Sequence, residues 1–124
     1  MNLEQTISKT ALDIVKGHQN MESAGEYRSF CEGFPTLLRT AGLAQTVAFL
    51  KAKGGDTHGE MAANLETHFR KLKILPEDKK SGLFELLTTP STCSTSQYRF
   101  YSQIAARVAH WHKRLAQALL EKKK

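Results

Sequence analysis

Apolar side chains recur every three or four residues along most of the chain, and this spacing constrains the fold more than any other feature. Because an α-helix turns about 100° per residue, such spacing gathers the apolar side chains on one helix face. A half-buried strand would need sustained alternation of apolar and polar residues, which no stretch shows. We therefore predict an all-α protein, a single compact bundle of about five to six helices in which residues 1–124 form one domain.

Glycine, proline and capping residues set the boundaries of the predicted helices. Pro35 lies inside the second apolar stripe, and because a proline removes one backbone hydrogen bond, this stripe predicts two short helices or one kinked helix. Gly54 and the glycine after it end the third helix. Asp56 or Thr57 can cap the fourth, since Glu60 lies three residues beyond Thr57 in a capping-box pattern. The predicted helices cover residues 2–18, 26–41, 42–53, 56–73 and 83–87, with a charged connection over 76–81 and a last helix that starts at residues 94–96.

Composition places the chain among ordinary globular proteins. It has 124 residues and 13.9 kDa, with 40% hydrophobic and 24% charged residues. The apolar run over residues 43–50 is interrupted by polar residues and is much shorter than the ~20 residues that span a bilayer. Glu4 and Asp13 within the first stripe argue against a secretion signal, so we expect a cytoplasmic protein without membrane contact. Cys31 and Cys93 lie far apart, and we expect two reduced thiols.

The net charge of +6 is distributed unevenly. Residues 1–62 hold six Lys or Arg against seven Asp or Glu, whereas residues 63–124 hold twelve against five. Such asymmetry favours a polyanionic partner, because basic side chains that neutralise phosphates release bound counterions. A merely solubilising surface would have the same composition, so charge alone leaves both interpretations open.

Three groups of basic residues are candidates for nucleic-acid contact. The last predicted helix has one polar stripe at spacings of three and four, and Lys113 lies off that stripe. The stripe consists of Arg99, Gln103, Arg107, His110, Arg114 and Gln117. Arg70, Lys71 and Lys73 form a second group, and Lys51 with Lys53 forms a third, in each case at a helix end where positive charge is also favoured by the helix dipole. Three such groups in a small chain favour polyanion binding.

The histidines and cysteines do not form a pattern for chemistry. His110 and His112 are two residues apart, which places them on opposite helix faces, so they cannot share a metal ion. Neither His58 nor His68 has a cysteine or carboxylate three or four residues away. Nothing near Cys31 would lower its thiol pKa, and its acidic neighbour would raise it. No phosphate-cradling glycine motif occurs, so we predict no catalytic site, no metal site and no cofactor.

Two segments carry a resemblance to a known family. The first, residues 34–53, reads FPTLLRTAGLAQTVAFLKAK and joins Phe-Pro to Gly-Leu-Ala-Gln at fixed spacing. The second comprises Tyr98, Arg99 and the run AHWHKRLA at residues 109–116, in which a tryptophan is followed closely by a basic pair. Together they cover about a third of the chain and resemble the small subunit of the type III-B (Cmr) CRISPR effector complex. Residues 54–95 are similar only in being helical and basic.

The resemblance implies a non-catalytic, all-helical subunit of an antiviral ribonucleoprotein. Copies of such a subunit stack into a filament beside the subunits that hold the guide RNA, contact the large polymerase-like subunit and follow the path of the target RNA. The expected partners are therefore guide RNA, target RNA, other subunits of the complex and further copies of the chain.

Nine basic residues are the resulting candidates for RNA contact. Lys51, Lys53, Lys113 and Arg114 lie within the two similar segments and are the strongest candidates. The others follow mainly from charge, and they are Arg39, Arg70, Lys73, Arg99 and Arg107.

Two other functions remain open at this point. One is a helical adaptor that binds a protein through an apolar groove, for which the basic surface would only aid solubility and binding would depend little on salt. The other is a phosphoryl carrier centred on His68, although a packed histidine is the favoured interpretation because that residue flanks an apolar stripe.

Overall fold

A computed structural model describes residues 1–76 and 82–122. These residues form six α-helices and one short π-helical turn, and no strand occurs among them. The helices are α1 (Leu3–Lys16), α2 (Ala24–Ala41), α3 (Leu43–Lys53), α4 (Glu60–Lys71), α5 (Leu83–Thr88) and α6 (Thr95–Leu119), with the π-turn at Gly55–Gly59. The predicted all-α bundle is confirmed, while most of the connection predicted over residues 76–81 lies outside the described residues. Within the described part of the chain, no helix is both long and apolar enough to cross a membrane.

The first and last helices begin at capping boxes. At α6, the backbone N–H of Gln97 donates to the Ser94 hydroxyl at 3.1 Å, and the Ser94 N–H donates to the Gln97 side chain at 2.8 Å. Asn2 and Gln5 form the same reciprocal pair at α1. These bonds satisfy N–H groups that have no partner within a helix. The start at Ser94 confirms one of the three starts that the sequence offered.

The capping box predicted at Thr57 and Glu60 is wrong. Gly54 and Gly55 adopt φ values of +61° and +79°, which glycine reaches without strain, and the chain then enters the π-turn. The Gly59 N–H donates to the Gly54 carbonyl at 3.2 Å, so a backbone group takes the place of the expected side-chain cap.

Helices α2 and α4 also differ from the sequence prediction. Helix α2 runs without interruption through Pro35, so the alternative of two short helices is wrong. Helix α4 ends at Lys71, two residues before the predicted Lys73, which has the left-handed φ of +65° and cannot continue the helix.

Helices α2 and α6 pack as an antiparallel pair at the centre of the bundle. The Arg28 guanidinium donates to the Leu120 carbonyl at 2.9 Å at one end of this pair, and the Ala44 N–H donates to the Tyr98 hydroxyl at 2.9 Å at the other. Helix α1 packs along α6. Helices α3, α4 and α5 contact one another, and they join the rest of the bundle where α3 packs against α2 and α4 packs against α6. Gly42, with φ of +84°, allows α2 and α3 to join directly, which agrees with the adjoining predicted ranges 26–41 and 42–53.

Most apolar residues at the three- and four-residue spacings are buried, and the exceptions are Leu3, Ile14, Phe30, Leu37, Leu72, Trp111, Leu115 and Leu119. Leu3 is 38% exposed although it was placed on the first stripe. On α6 the buried line runs through His112 and Ala116, whereas Trp111 and Leu115 lie at its edge and are only partly buried. The predicted positions that are buried are Ile7, Ala11, Val15, Tyr27, Phe34, Leu38, Leu43, Val47, Leu50, Met61, Leu65, Phe69, Tyr101, Ile104, Ala105 and Val108.

A chain of buried polar groups joins α2, α4 and α6. The Tyr27 hydroxyl accepts the Asn64 amide N–H at 3.1 Å and shares a hydrogen bond of 2.9 Å with Nδ1 of His112. Nε2 of His112 lies 2.9 Å from Nε2 of His68. The His18 ring stacks on Tyr27 with ring centroids 3.8 Å apart and contacts a Glu60 carboxylate oxygen at 3.2 Å. The bundle interior therefore contains a directional polar contact among otherwise apolar side chains.

This arrangement requires the two paired histidines not to be doubly protonated. One Nε2 must donate and the other accept, and two protonated rings would place two N–H groups against each other. Burial lowers the pKa of His68 to about 4, and burial together with the neighbouring histidines lowers that of His112 to about 3. Both rings are neutral at pH 7.

Replacing Tyr27 with Phe should destabilise the bundle. The change leaves Asn64 and His112 without their buried partner, which costs about 1–3 kcal/mol of unfolding free energy. Urea denaturation of wild type and the variant measures the difference. Tyr101→Phe is the control, because Tyr101 lies on α6 outside this network and its variant should differ from wild type by less than about 0.5 kcal/mol. Equal effects of the two changes would contradict the role assigned to the network.

Stability should also fall as the solution is acidified. Because the folded-state pKa values of His68 and His112 lie below their unfolded value of 6.5, their stabilising contribution is complete above pH 6.5 and is lost as pH falls toward about 4 and below. Each histidine contributes a slope of about 1.4 kcal/mol per pH unit within that window. Denaturation at a series of pH values measures the slope, which His68→Gln should reduce. A slope that is unchanged in this variant would refute the assignment.

Candidate nucleic-acid interface

The structure exposes most of the basic residues that were predicted to contact RNA. Lys113 and Arg70 are only partly exposed, whereas the other seven lie on the surface. The exposed set is Arg39, Lys51, Lys53, Lys73, Arg99, Arg107 and Arg114. They come from the ends of α2, α3 and α4 and from the length of α6, so the structure does not gather them into one patch.

The outer face of α6 holds the most continuous set. Arg99, Arg107, His110 and Arg114 are all exposed, as the predicted polar stripe requires. Phe100, which the sequence prediction did not include, is 48% exposed on the same helix. The residue spacing that identified the cations also identifies Phe100, because a helix brings positions seven apart to nearly the same side. We refer to Phe100, Arg107, His110, Trp111 and Arg114 as the α6 outer face.

Glu4 connects the first turn of α1 to this face. One carboxylate oxygen accepts the Trp111 indole N–H at 2.9 Å, and the other accepts an Arg107 guanidinium N–H at 2.9 Å. These hydrogen bonds, first from Trp111 and then from Arg107, lower the pKa of the Glu4 carboxyl below its usual value. Glu4 is therefore ionised at neutral pH and holds the edge of the indole in a fixed orientation.

A shallow cavity of about 280 Å³ opens beside the indole. It is lined by Glu4, Arg107, His110, Trp111 and Arg114. The Arg114 guanidinium reaches the Gln117 side chain at 3.4 Å, and Gln117 in turn donates to Glu32 of α2 at 3.1 Å. The cavity thus combines an aromatic surface with two guanidinium groups.

Lys51 and Lys53 lie at the end of α3 but line different grooves. Lys51 lines a groove between α3 and α4 together with Glu66. Lys53 lines a groove beside the π-turn together with Phe30 and His58. The two strongest candidates in the first similar segment therefore point to two surfaces and not to a single binding site.

Arg70 has a structural role. Its guanidinium lies 3.7 Å from a Glu66 carboxylate oxygen and donates to the Pro76 carbonyl at 3.2 Å. These contacts tie the end of α4 to the segment that follows it. Arg70 is accordingly a weaker candidate for phosphate contact than the exposed arginines of α6.

The side chains that could carry chemistry are buried or widely separated. His68 is 1% exposed, which excludes the surface position that a phosphoryl carrier requires. His58 packs between the rings of Phe30 and Phe49. Burial raises the pKa of the Cys31 thiol to about 12 and Glu32 adds to this effect, although a hydrogen bond with Tyr27, which the sequence did not predict, acts to lower it. The net shift is upward, so the thiol is not activated. Among residues 1–76 and 82–122, no group of three His, Cys, Asp or Glu side chains is placed to hold a metal ion.

Comparisons with known proteins agree with the resemblance seen in the sequence. Residues 3–119 match the CRISPR-associated protein family Cas_Cmr5. The CRISPR system Cmr subunit Cmr5 of Thermus thermophilus is 32% identical over 119 residues, which are 94% of this chain and 95% of that protein. The crystal structure of a CRISPR-associated Cmr5 family protein from the same organism superposes with a TM-score of 0.76 at 29% identity, covering 98% of this chain and 99% of the other.

Proposed function

Because this chain belongs to the Cmr5 family, the small subunits of the Cmr CRISPR complex, we propose that it acts there without catalysis, along the guide RNA and against the target RNA. In this proposal it works in the cytoplasm as part of antiviral, RNA-guided interference. Its neighbours are the other subunits of the effector complex and further copies of itself. Its own contribution to RNA binding is charge displayed from rigid helices.

The observation that carries the proposal is the row of exposed cations on α6. Arg99, Arg107 and Arg114 lie along one long helix whose opposite side is buried in the bundle. A guide and target duplex presents regularly spaced phosphates, and base pairing within it supplies the sequence specificity. A protein beside such a duplex needs cations at fixed positions and no contacts that read bases. The α6 arginines satisfy that requirement.

The absence of catalysis in the proposal rests on the state of the titratable groups. A general acid or base acts best with a pKa near the working pH. His68 and His112 have pKa values lowered to about 4 and about 3, and that of Cys31 is raised to about 12. All three are buried, so neither proton transfer nor nucleophilic attack on an external RNA is available to them.

Reversing three exposed cations should weaken RNA binding. The variant carries Lys51→Glu, Lys53→Glu and Arg114→Glu. Log affinity falls as log salt rises, and each lost phosphate contact should make this slope shallower by about 0.7. The fold should persist because all three side chains are exposed. Binding of labelled target RNA by the assembled complex, measured between low and high salt, tests both expectations.

The control variant reverses three cations outside the predicted set. Lys9, Lys16 and Lys122 are exposed and undergo the same change in charge when replaced by Glu. This control should retain most of the wild-type salt slope. Equal losses in both variants would indicate a general effect of net charge, and affinity that does not change with salt would favour a helical adaptor that binds protein through apolar contacts.

A further inference from the structure

The cavity on the α6 outer face exposes mainly apolar surface, although charged side chains also line it. Trp111 is partly buried at its edge, and its N–H is already bonded to Glu4. A ligand in the cavity of about 280 Å³ therefore meets the indole ring and has no access to its hydrogen-bond donor. Such a surface selects flat apolar groups over polar ones.

Aromatic and basic side chains alternate along this face. In an α-helix that turns about 100° per residue, Phe100, Arg107, Trp111 and Arg114 fall within an arc of about 60°. The two aromatic residues are eleven positions apart, which is about 16 Å along the axis, and Arg107 lies between them. Ring, guanidinium, ring and guanidinium therefore alternate along the helix. This order is complementary to a ligand in which flat and anionic groups alternate.

A single strand of RNA has flat and anionic groups in alternation. Each unpaired base offers a flat π-surface, and each nucleotide brings one phosphate. A paired duplex hides its base faces, and an apolar peptide segment in the cavity would bring no anion to Arg114, whose guanidinium contacts only the neutral Gln117 side chain among its described partners, whereas Arg107 already pairs with Glu4. The rim charges therefore favour a nucleotide over an apolar peptide.

From this geometry, and building on the proposed RNA contact, we propose that Trp111 is a stacking platform for one unpaired base of a single-stranded RNA. Arg107 and Arg114 contact the phosphates on either side of that base. Glu4 acts as a positioning residue that holds the indole edge and one guanidinium, so the ring is oriented before RNA arrives. The protein thereby contributes a stacking contact in addition to charge, and this contact does not read the base identity.

Trp111 is the one tryptophan of the chain, so its fluorescence reports on this site alone. Stacking should quench the emission of the full-length protein when an eight-nucleotide single-stranded oligoadenylate is added at low salt. A fully paired RNA of the same length and inorganic polyphosphate are the controls, because both supply phosphates without an unpaired base. Neither should quench comparably, even where polyphosphate binds.

Substitutions at the ring provide a second measurement. Trp111→Leu keeps apolar volume but removes the π-surface, and it should weaken binding of labelled single-stranded RNA by roughly tenfold to a hundredfold in fluorescence anisotropy. Trp111→Phe should restore most of that affinity. Circular dichroism and thermal unfolding show whether both variants remain folded, and quenching of the wild-type protein remains informative if the leucine variant does not.

The possible results separate this inference from the function on which it rests. Equal quenching by oligoadenylate and polyphosphate, or full affinity in a folded Trp111→Leu protein, would overturn base stacking and leave charge-based RNA contact intact. If the Trp111→Leu protein no longer assembled with the other Cmr subunits but kept its RNA affinity, the cavity would be a site for a protein side chain and not for a base. Absence of any salt-dependent RNA binding by wild type, alone and in the complex, would overturn both proposals.

Discussion

The hydrogen-bonded contact between Tyr27, His112 and His68 is the constraint on which the arrangement of the bundle depends. Apolar packing alone tolerates small rotations of one helix against another, because hydrophobic contacts have no direction. A buried hydrogen bond has a direction, and leaving its donor or acceptor unpaired costs about 1–3 kcal/mol. The bonds from Tyr27 to His112 and from His112 to His68 therefore fix how α2, α4 and α6 are turned about their axes.

The buried hydrogen bonds of His112 also determine which residues of α6 are exposed. With His112 held in the core, Arg107 and Arg114 must lie on the opposite, exposed side, and Trp111 falls at the border between core and solvent. Glu4 then fixes the indole from α1. The same register thus determines which side chains of α6 are exposed and available for the proposed RNA contact.

The sequence predicted the helices well because each depends on local interactions. The helix start at Ser94 and the adjoining ends of α2 and α3 at Gly42 involve residues close together in the chain, and both agree with the predicted boundaries. The capping box at Thr57 failed for a reason that is also local but was not recognised: two glycines with positive φ allowed a π-turn whose backbone bond replaced the cap. For α2 the sequence left two short helices or one kinked helix open, and the structure shows a single helix through Pro35 that packs along α6.

By itself, the sequence determined the helical class, most of the apolar core, the family resemblance and the exposed cations of α6, since periodicity and charge are properties of single segments. Only the tertiary structure decided that His68 and His112 meet across 44 residues of chain and that Glu4 reaches Trp111 across 107. Contacts between distant residues depend on how the helices are rotated and placed against one another. That geometry is set by packing and buried hydrogen bonds over the whole bundle, and no local pattern specifies it.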